Sequence, residues 1–258
     1  MFTTLRNLYL NSFLYEKRIS RTFNSSFQYK SSPYLISSIV KIQIKKINID
    51  DLQLDNIWTN KNLSNKQFKR LNNFFWIFSL DLKSPSSSVQ KVIENWINEN
   101  NKYNSRCWNF GTTSKRIISW LSNSRLTYDG GTEEYKESFN LIIQKQILHL
   151  LNQINYTKDN DDKLVGIASI ILFSLSYTEQ HKILSIGLSH LKKIIKETFD
   201  KSNFPKSRNI NQSIFYFKYF ILIREWFKES QISIPEFIDE QIFLLGQSYT
   251  FFSRKINF

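Results

Sequence analysis

From Lys66 to the C-terminus, apolar residues recur three or four positions apart, a period that predicts helices. In NKQFKRLNNFFWIFSLDL, the residues Phe68, Leu71, Phe75, Phe78 and Leu82 fall on one helical face. SPSSS then breaks the pattern. Ser86 or Ser87 suits the cap of a second helix, whose inward face is Val89, Ile93, Trp96 and Ile97. TTSKRIISWLSNSR and the longer EEYKESFNLIIQKQILHLLNQI continue the series. DDKLVGIASIILFSLSY is apolar nearly all round, which predicts a buried helix. HKILSIGLSHLKKIIKETFD is amphipathic, with Ile183, Ile186, Leu191, Ile194 and Ile195 inward. NQSIFYFKYFILIREWFKES follows, and IPEFIDEQIFLLGQSYTFF closes the chain with Pro235 at a helix start.

Residues 1–65 read differently. Around Ile42, Ile44, Ile47 and Ile49 apolar and polar positions alternate, which predicts a short extended piece in an otherwise irregular N-terminal segment. The expected organisation is this segment followed by an all-α domain over residues 66–258. Serial helices with short polar connectors make a bundle, a solenoid or a ring of helical hairpins. No repeat specifies a named solenoid.

Composition supports that picture. The chain has 258 residues, 41% hydrophobic and 16% aromatic, enough to bury a core. Only 6 glycines and 4 prolines are present, too few for the many turns of an all-β fold. The net charge of +13 suits an acidic partner such as a glycan, a nucleic acid or an anionic lipid surface. It is equally the mark of a lysine-rich solvated surface, and no arginine-rich arm singles out nucleic acid. Cys107 is the only cysteine, which rules out an intramolecular disulfide and a cysteine-based zinc site. The N-terminus lacks a signal-peptide pattern, because Asn11 and Ser12 interrupt its apolar stretch. The most apolar windows are too short to span a bilayer, so a soluble, cytoplasmic protein is expected.

Candidate chemistry is sparse. No glycine-rich phosphate loop, cofactor motif or histidine metal pair is present. His149 sits among apolar residues, as either a packed histidine or a catalytic one; His181 and His190 lie on a lysine-rich helix. The acid pairs Asp161–Asp162 and Glu133–Glu134 fit helix N-termini. In CWNFGTTSKRIISW, Arg116 and Trp120 are four apart and share a helical face with Trp108 nearby. An arginine fork on an aromatic face suits a sugar carrying a carboxylate or sulfate, and core packing explains the same set. The FPKSRN stretch at 204–209 supplies Pro205 to stiffen a loop, Lys206 and Arg208 as cations, and Asn209 as a helix cap or ligand contact.

Three stretches together resemble the N-terminal helical domain of heparinase II/III-type polysaccharide lyases. WNFGTTSKRIISW is similar to that family's Trp, spacer, Arg-(Ile/Leu)-x-x-Trp segment, and KLVGIASIILFSLSY with GLSHLKKIIKETF to its paired helices. FPKSRN stands where the family carries a loop ending in Arg-Asn, and FYFKYFILIREW resembles the leucine-rich helix after it. The resemblance spans roughly residues 65–258.

It implies an incomplete (α/α) toroid joined to a C-terminal β-sandwich, acting on acidic polysaccharide by β-elimination beside a uronate. In that chemistry a polar donor neutralises the carboxylate, an effect worth about 10²–10³ in rate. The family's Asn-His pair falls on Asp161 and Asp162, a later asparagine on Gly166, and the loop histidine on Asn203 or Phe204. The sandwich has no counterpart before Phe258, which implies a chain truncated ahead of that domain. The expected ligand contacts are Arg116, Trp120, Arg208 and Asn209, with Trp108 as a stacking platform and His149 and Lys206 as further candidates. No catalytic residue, metal or cofactor is assigned. The alternative is a non-catalytic helical scaffold that binds an acidic polymer or a protein.

Overall fold

The computed structural model describes residues 2–22, 25–40, 58, 63–81 and 83–256. Among them the secondary structure is helical with no strand; two isolated antiparallel bridges join Phe27 to Tyr177 and Phe199 to Pro205. Ile42, Ile44, Ile47, Ile49 and Leu82 lie outside the described residues.

The N-terminal segment is more structured than its sequence suggests. It contains α1 (Phe2–Leu10), α2 (Phe13–Ile19) and α3 (Pro33–Val40). Ser12 caps α2 by accepting from the Tyr15 amide. Tyr15, Ile19 and Ile36 are fully buried in the same core as the rest of the chain. Phe27 stacks on Tyr177 at 5.2 Å, and Gln28 N–H donates to the Ser176 carbonyl at 2.8 Å.

The helix expected from Lys66 onward breaks. Residues Asn65–Asn72 form α4, closed at its start by a capping box between Ser64 and Gln67. Phe74 then adopts φ 57°, and a 3₁₀ turn follows over Phe75–Ser79. Asn73 Oδ1 accepts from the Phe75 amide, and Ser119 Oγ donates to the Phe74 carbonyl at 2.6 Å. The left-handed residue drops the Phe74 ring between Trp96 and Trp120, and this aromatic burial offsets a backbone strain of about 1 kcal/mol.

Next come α5 (Ser86–Asn100), α6 (Phe110–Ser122), the single turn α7 (Ser124–Thr127), α8 (Glu133–Gln153) and α9 (Asn160–Ser176). The chain ends in α10 (His181–Thr198), α11 (Ile210–Glu229) and α12 (Glu236–Ile256). Pro85, not a serine hydroxyl, stands at the α5 cap. Pro235 immediately precedes α12 as expected.

Helix α9 is the centre. Every residue from Leu164 to Ser176 is buried, against α6, α8, α10 and α11. A Cβ on Gly166 would meet the Phe110 ring at 2.4 Å, so the missing side chain is what lets α6 approach. Helices α10 and α12 each bury one face only. On α10, Ile186 points outward at 43% exposure instead of inward.

Candidate functional site

The residues nominated by sequence separate into a buried set and an exposed loop. Arg116 is fully buried on α6, with its fork committed to the protein. Nε donates to Gln146 Oε1 at 2.9 Å, Nη1 to the carbonyls of Asn72 (2.9 Å) and Cys107 (3.1 Å), and Nη2 to Thr113 Oγ1 at 3.2 Å. The guanidinium also lies 4.0 Å over the Trp96 ring. No carboxylate joins this set. Burial pulls the Arg116 pKa down to about 9, still high enough to keep it charged at neutral pH.

Trp108 donates its indole N–H to the Asn100 carbonyl at 3.0 Å. Trp120 packs edge-on to Trp96 and Phe74. Neither ring has a face toward solvent, so Trp108, Arg116 and Trp120 are core residues and not a sugar platform.

His149 belongs to the same interior. Its Nε2 pairs with the Trp108 carbonyl at 2.8 Å, which requires a proton there. Nδ1 then accepts from the Tyr15 hydroxyl at 2.8 Å, and Tyr15 in turn accepts from Gln153 Nε2. Burial pushes the His149 pKa down to about 3, so the ring is neutral. The network ties α2 to α8. Sequence could not pair Tyr15 with His149, because 134 positions separate them.

The loop at 204–209 joins α10 to α11 and is closed by its own bonds. Lys206 N–H donates to the Thr198 carbonyl, and its ammonium caps the end of α10 on the carbonyls of Lys196 (2.6 Å) and Glu197 (3.2 Å). Asn209 Oδ1 accepts from the Asn211 amide and starts α11. Arg208, at φ 58°, donates to Asp200 Oδ2 at 2.9 Å while its side chain stays 69% exposed.

This loop extends a basic surface along α10. Exposed Lys182, Lys192, Lys193 and Lys196 on that helix continue into Lys201, Lys206 and Arg208. The only acids over residues 181–209 are Glu197 and Asp200. Glu197 already pairs with Lys163 and Lys193, and Asp200 with Arg208. Sequence singled out Lys206 and Arg208. The lysine spacing on α10 held the rest of the signal, hidden because those lysines look like ordinary solubilising charge.

Asp161 and Asp162 lie at the start of α9. Asp159 caps the helix by accepting from the Asp161 and Asp162 amides at 2.8 and 2.9 Å. Asp161 accepts from Gln212 Nε2 at 2.8 Å. Asp162 lies against Gly111, and burial with the nearby Asp159 raises its pKa while Lys115 and Lys69 oppose the shift. The first turns of α6, α9 and α11 thus meet at one end of the bundle. Gln212, Tyr216 and Tyr219 bring α11 to it, at spacings of four and three that mark one stripe. Acids at helix N-termini stabilise the dipoles but repel a uronate. Among the described residues, no three or more His, Cys, Asp or Glu side chains are grouped to hold a metal ion. No family model, curated protein or solved structure matches this chain.

Proposed function

We propose that this chain is a non-catalytic helical scaffold that binds an acidic, uronate-bearing glycan along α10 and the 199–209 loop. The observation that carries the reading is the charge imbalance there. Lys182, Lys192, Lys196 and Lys201 face solvent without a carboxylate partner among the described residues, and the two local acids are engaged by other cations. A flexible polyanion is attracted to such an edge without needing a pocket. The packing of α9 between α6 and α11, with α8 and α10 also against it, fits an arc of an (α/α) toroid.

The resemblance supports a second reading, the helical half of a β-eliminating lyase whose remaining residues lie on a strand-rich domain. The meeting of the α6, α9 and α11 first turns favours it. Asp161 and Asp162 weigh against it, because two carboxylates cannot neutralise a third.

The test is a salt titration of affinity for polygalacturonate and for duplex DNA. The scaffold reading expects tighter binding to the glycan, weakened at least about tenfold in Lys192→Gln/Lys196→Gln/Arg208→Gln. Equal or tighter binding to DNA, or an unaffected triple variant, defeats it. Release of unsaturated uronate by the chain joined to a strand-rich domain, with none by the helical chain alone, establishes the lyase reading instead.

A further inference from the structure

The α1–α2 hairpin presents the densest exposed apolar surface of the described residues. Leu5 (59% exposed), Leu8 (67%), Phe13 (78%) and Leu14 (69%) fall within ten positions, whereas exposed apolar side chains elsewhere are scattered singly. The hairpin is not a frayed end. Arg6 lies 3.1 Å over the Tyr156 ring and donates to Gln153 Oε1 at 2.8 Å, while Tyr15 and Ile19 are fully buried beneath it. The outward set is therefore held outward by its own anchors.

Its charge is one-sided. Glu16 is the only acid among residues 1–22, and it is taken up by Lys145 of α8. Beside the apolar tip, Leu14, Lys17, Arg18 and Arg21 line an open concavity of about 420 Å³. Apolar side chains at a tip with cations in a shallow basin beside them match the boundary between acyl chains and phosphate headgroups. A second copy of the chain fits less well. A two-fold contact over the tip would bring Lys17, Arg18 and Arg21 toward their own copies, with no acid to receive them.

We infer that this hairpin docks the protein on an anionic phospholipid bilayer, with Leu5, Leu8, Phe13 and Leu14 at the acyl boundary and Lys17, Arg18 and Arg21 on the lipid phosphates. The inference does not depend on the basic edge of α10.

Co-sedimentation of the full chain with vesicles tests this, using phosphatidylcholine alone and phosphatidylcholine mixed with phosphatidylserine. The chain binds the mixed vesicles and not the neutral ones. Phe13→Ser/Leu14→Ser weakens binding at least roughly thirtyfold, and Leu5→Ser/Leu8→Ser gives a comparable loss from the other helix. Lys17→Gln/Arg18→Gln/Arg21→Gln weakens it at least about tenfold. The substituted side chains face solvent, so thermal midpoints stay at the parent value. Failure to bind phosphatidylserine vesicles, or binding by Phe13→Ser/Leu14→Ser equal to the parent, overturns the inference. A vesicle-free dimer in sedimentation that becomes monomeric in Phe13→Ser/Leu14→Ser overturns it too and identifies a second copy as the occupant.

Discussion

Arg116 and Arg208 carry the same side chain and have opposite surroundings. Arg116 serves four internal acceptors beneath Trp96, whereas Arg208 holds one carboxylate at the surface. Removing the first leaves the carbonyls of Asn72 and Cys107 buried without a donor; removing the second uncovers groups that water can serve. Arg116→Ala is therefore expected to cost about 3 kcal/mol in chemical denaturation, and Arg208→Ala less than about 0.5 kcal/mol. A ligand-gripping Arg116 would behave the other way, with stability kept and binding lost. His149 gives a pH test. Its folded pKa of about 3 lies below the ordinary 6.5, so the unfolded chain binds the extra proton between those values. Its stabilising contribution is complete above pH 6.5 and is lost as pH falls toward 3, by up to about 1.4 kcal/mol per pH unit. Denaturation midpoints of His149→Gln measured across that window should fall less steeply than those of the parent.

Among the helices, α5, α6 and α8 to α12 were legible, most of them from apolar residues three or four positions apart and α9 from a run that is apolar nearly all round. The misses have physical reasons. Helices α1, α2 and α3 are nine residues or fewer, too short to stand without the core that Tyr15, Ile19 and Ile36 enter. Phe74 keeps the apolar period intact while its backbone turns left-handed, so the break after α4 leaves no mark in the pattern. Helix α6 is expected as a helix, but its nearly complete burial leaves no mark in a stretch rich in Thr and Ser with one Arg. It is buried because those groups find acceptors from distant segments, including the Phe74 carbonyl for Ser119 and that of Asn72 for Arg116. Arg116, a candidate ligand contact, lies in the core for the same reason: backbone acceptors cannot be read from side-chain types. The α6–α9 contact also yields a test. Gly166→Ala places a methyl 2.4 Å from the Phe110 ring, and the helices must part or the ring must turn. A loss of about 1–3 kcal/mol is expected in chemical denaturation, partly recovered when Phe110→Leu is added.

Over the whole molecule, one continuous core links the N-terminal hairpin, the aromatic cluster around Trp96 and the α9 centre. Burial raises the pKa values of Tyr15, Tyr29, Tyr135, Tyr177, Tyr216 and Tyr219 above the ordinary 10.0. These tyrosines stabilise the fold fully below pH 10, and that contribution declines as pH rises toward their folded values, because only the unfolded chain ionises them freely. Arg116 acts in the opposite sense between about 9 and 12.5, as one group against these several tyrosines. The unfolding free energy should therefore fall steeply above pH 10, by more than about 1.4 kcal/mol per pH unit in chemical denaturation. The same core decides what light can report. Trp96, Trp108, Trp120 and Trp226 are each under 2% exposed, while Trp58 and Trp76 remain partly exposed. Intrinsic fluorescence is consequently a gauge of core integrity, blue-shifted and shielded from soluble quenchers. A glycan on α10 or a bilayer on the hairpin leaves it nearly unchanged, and either event needs a dye attached at the surface to be seen.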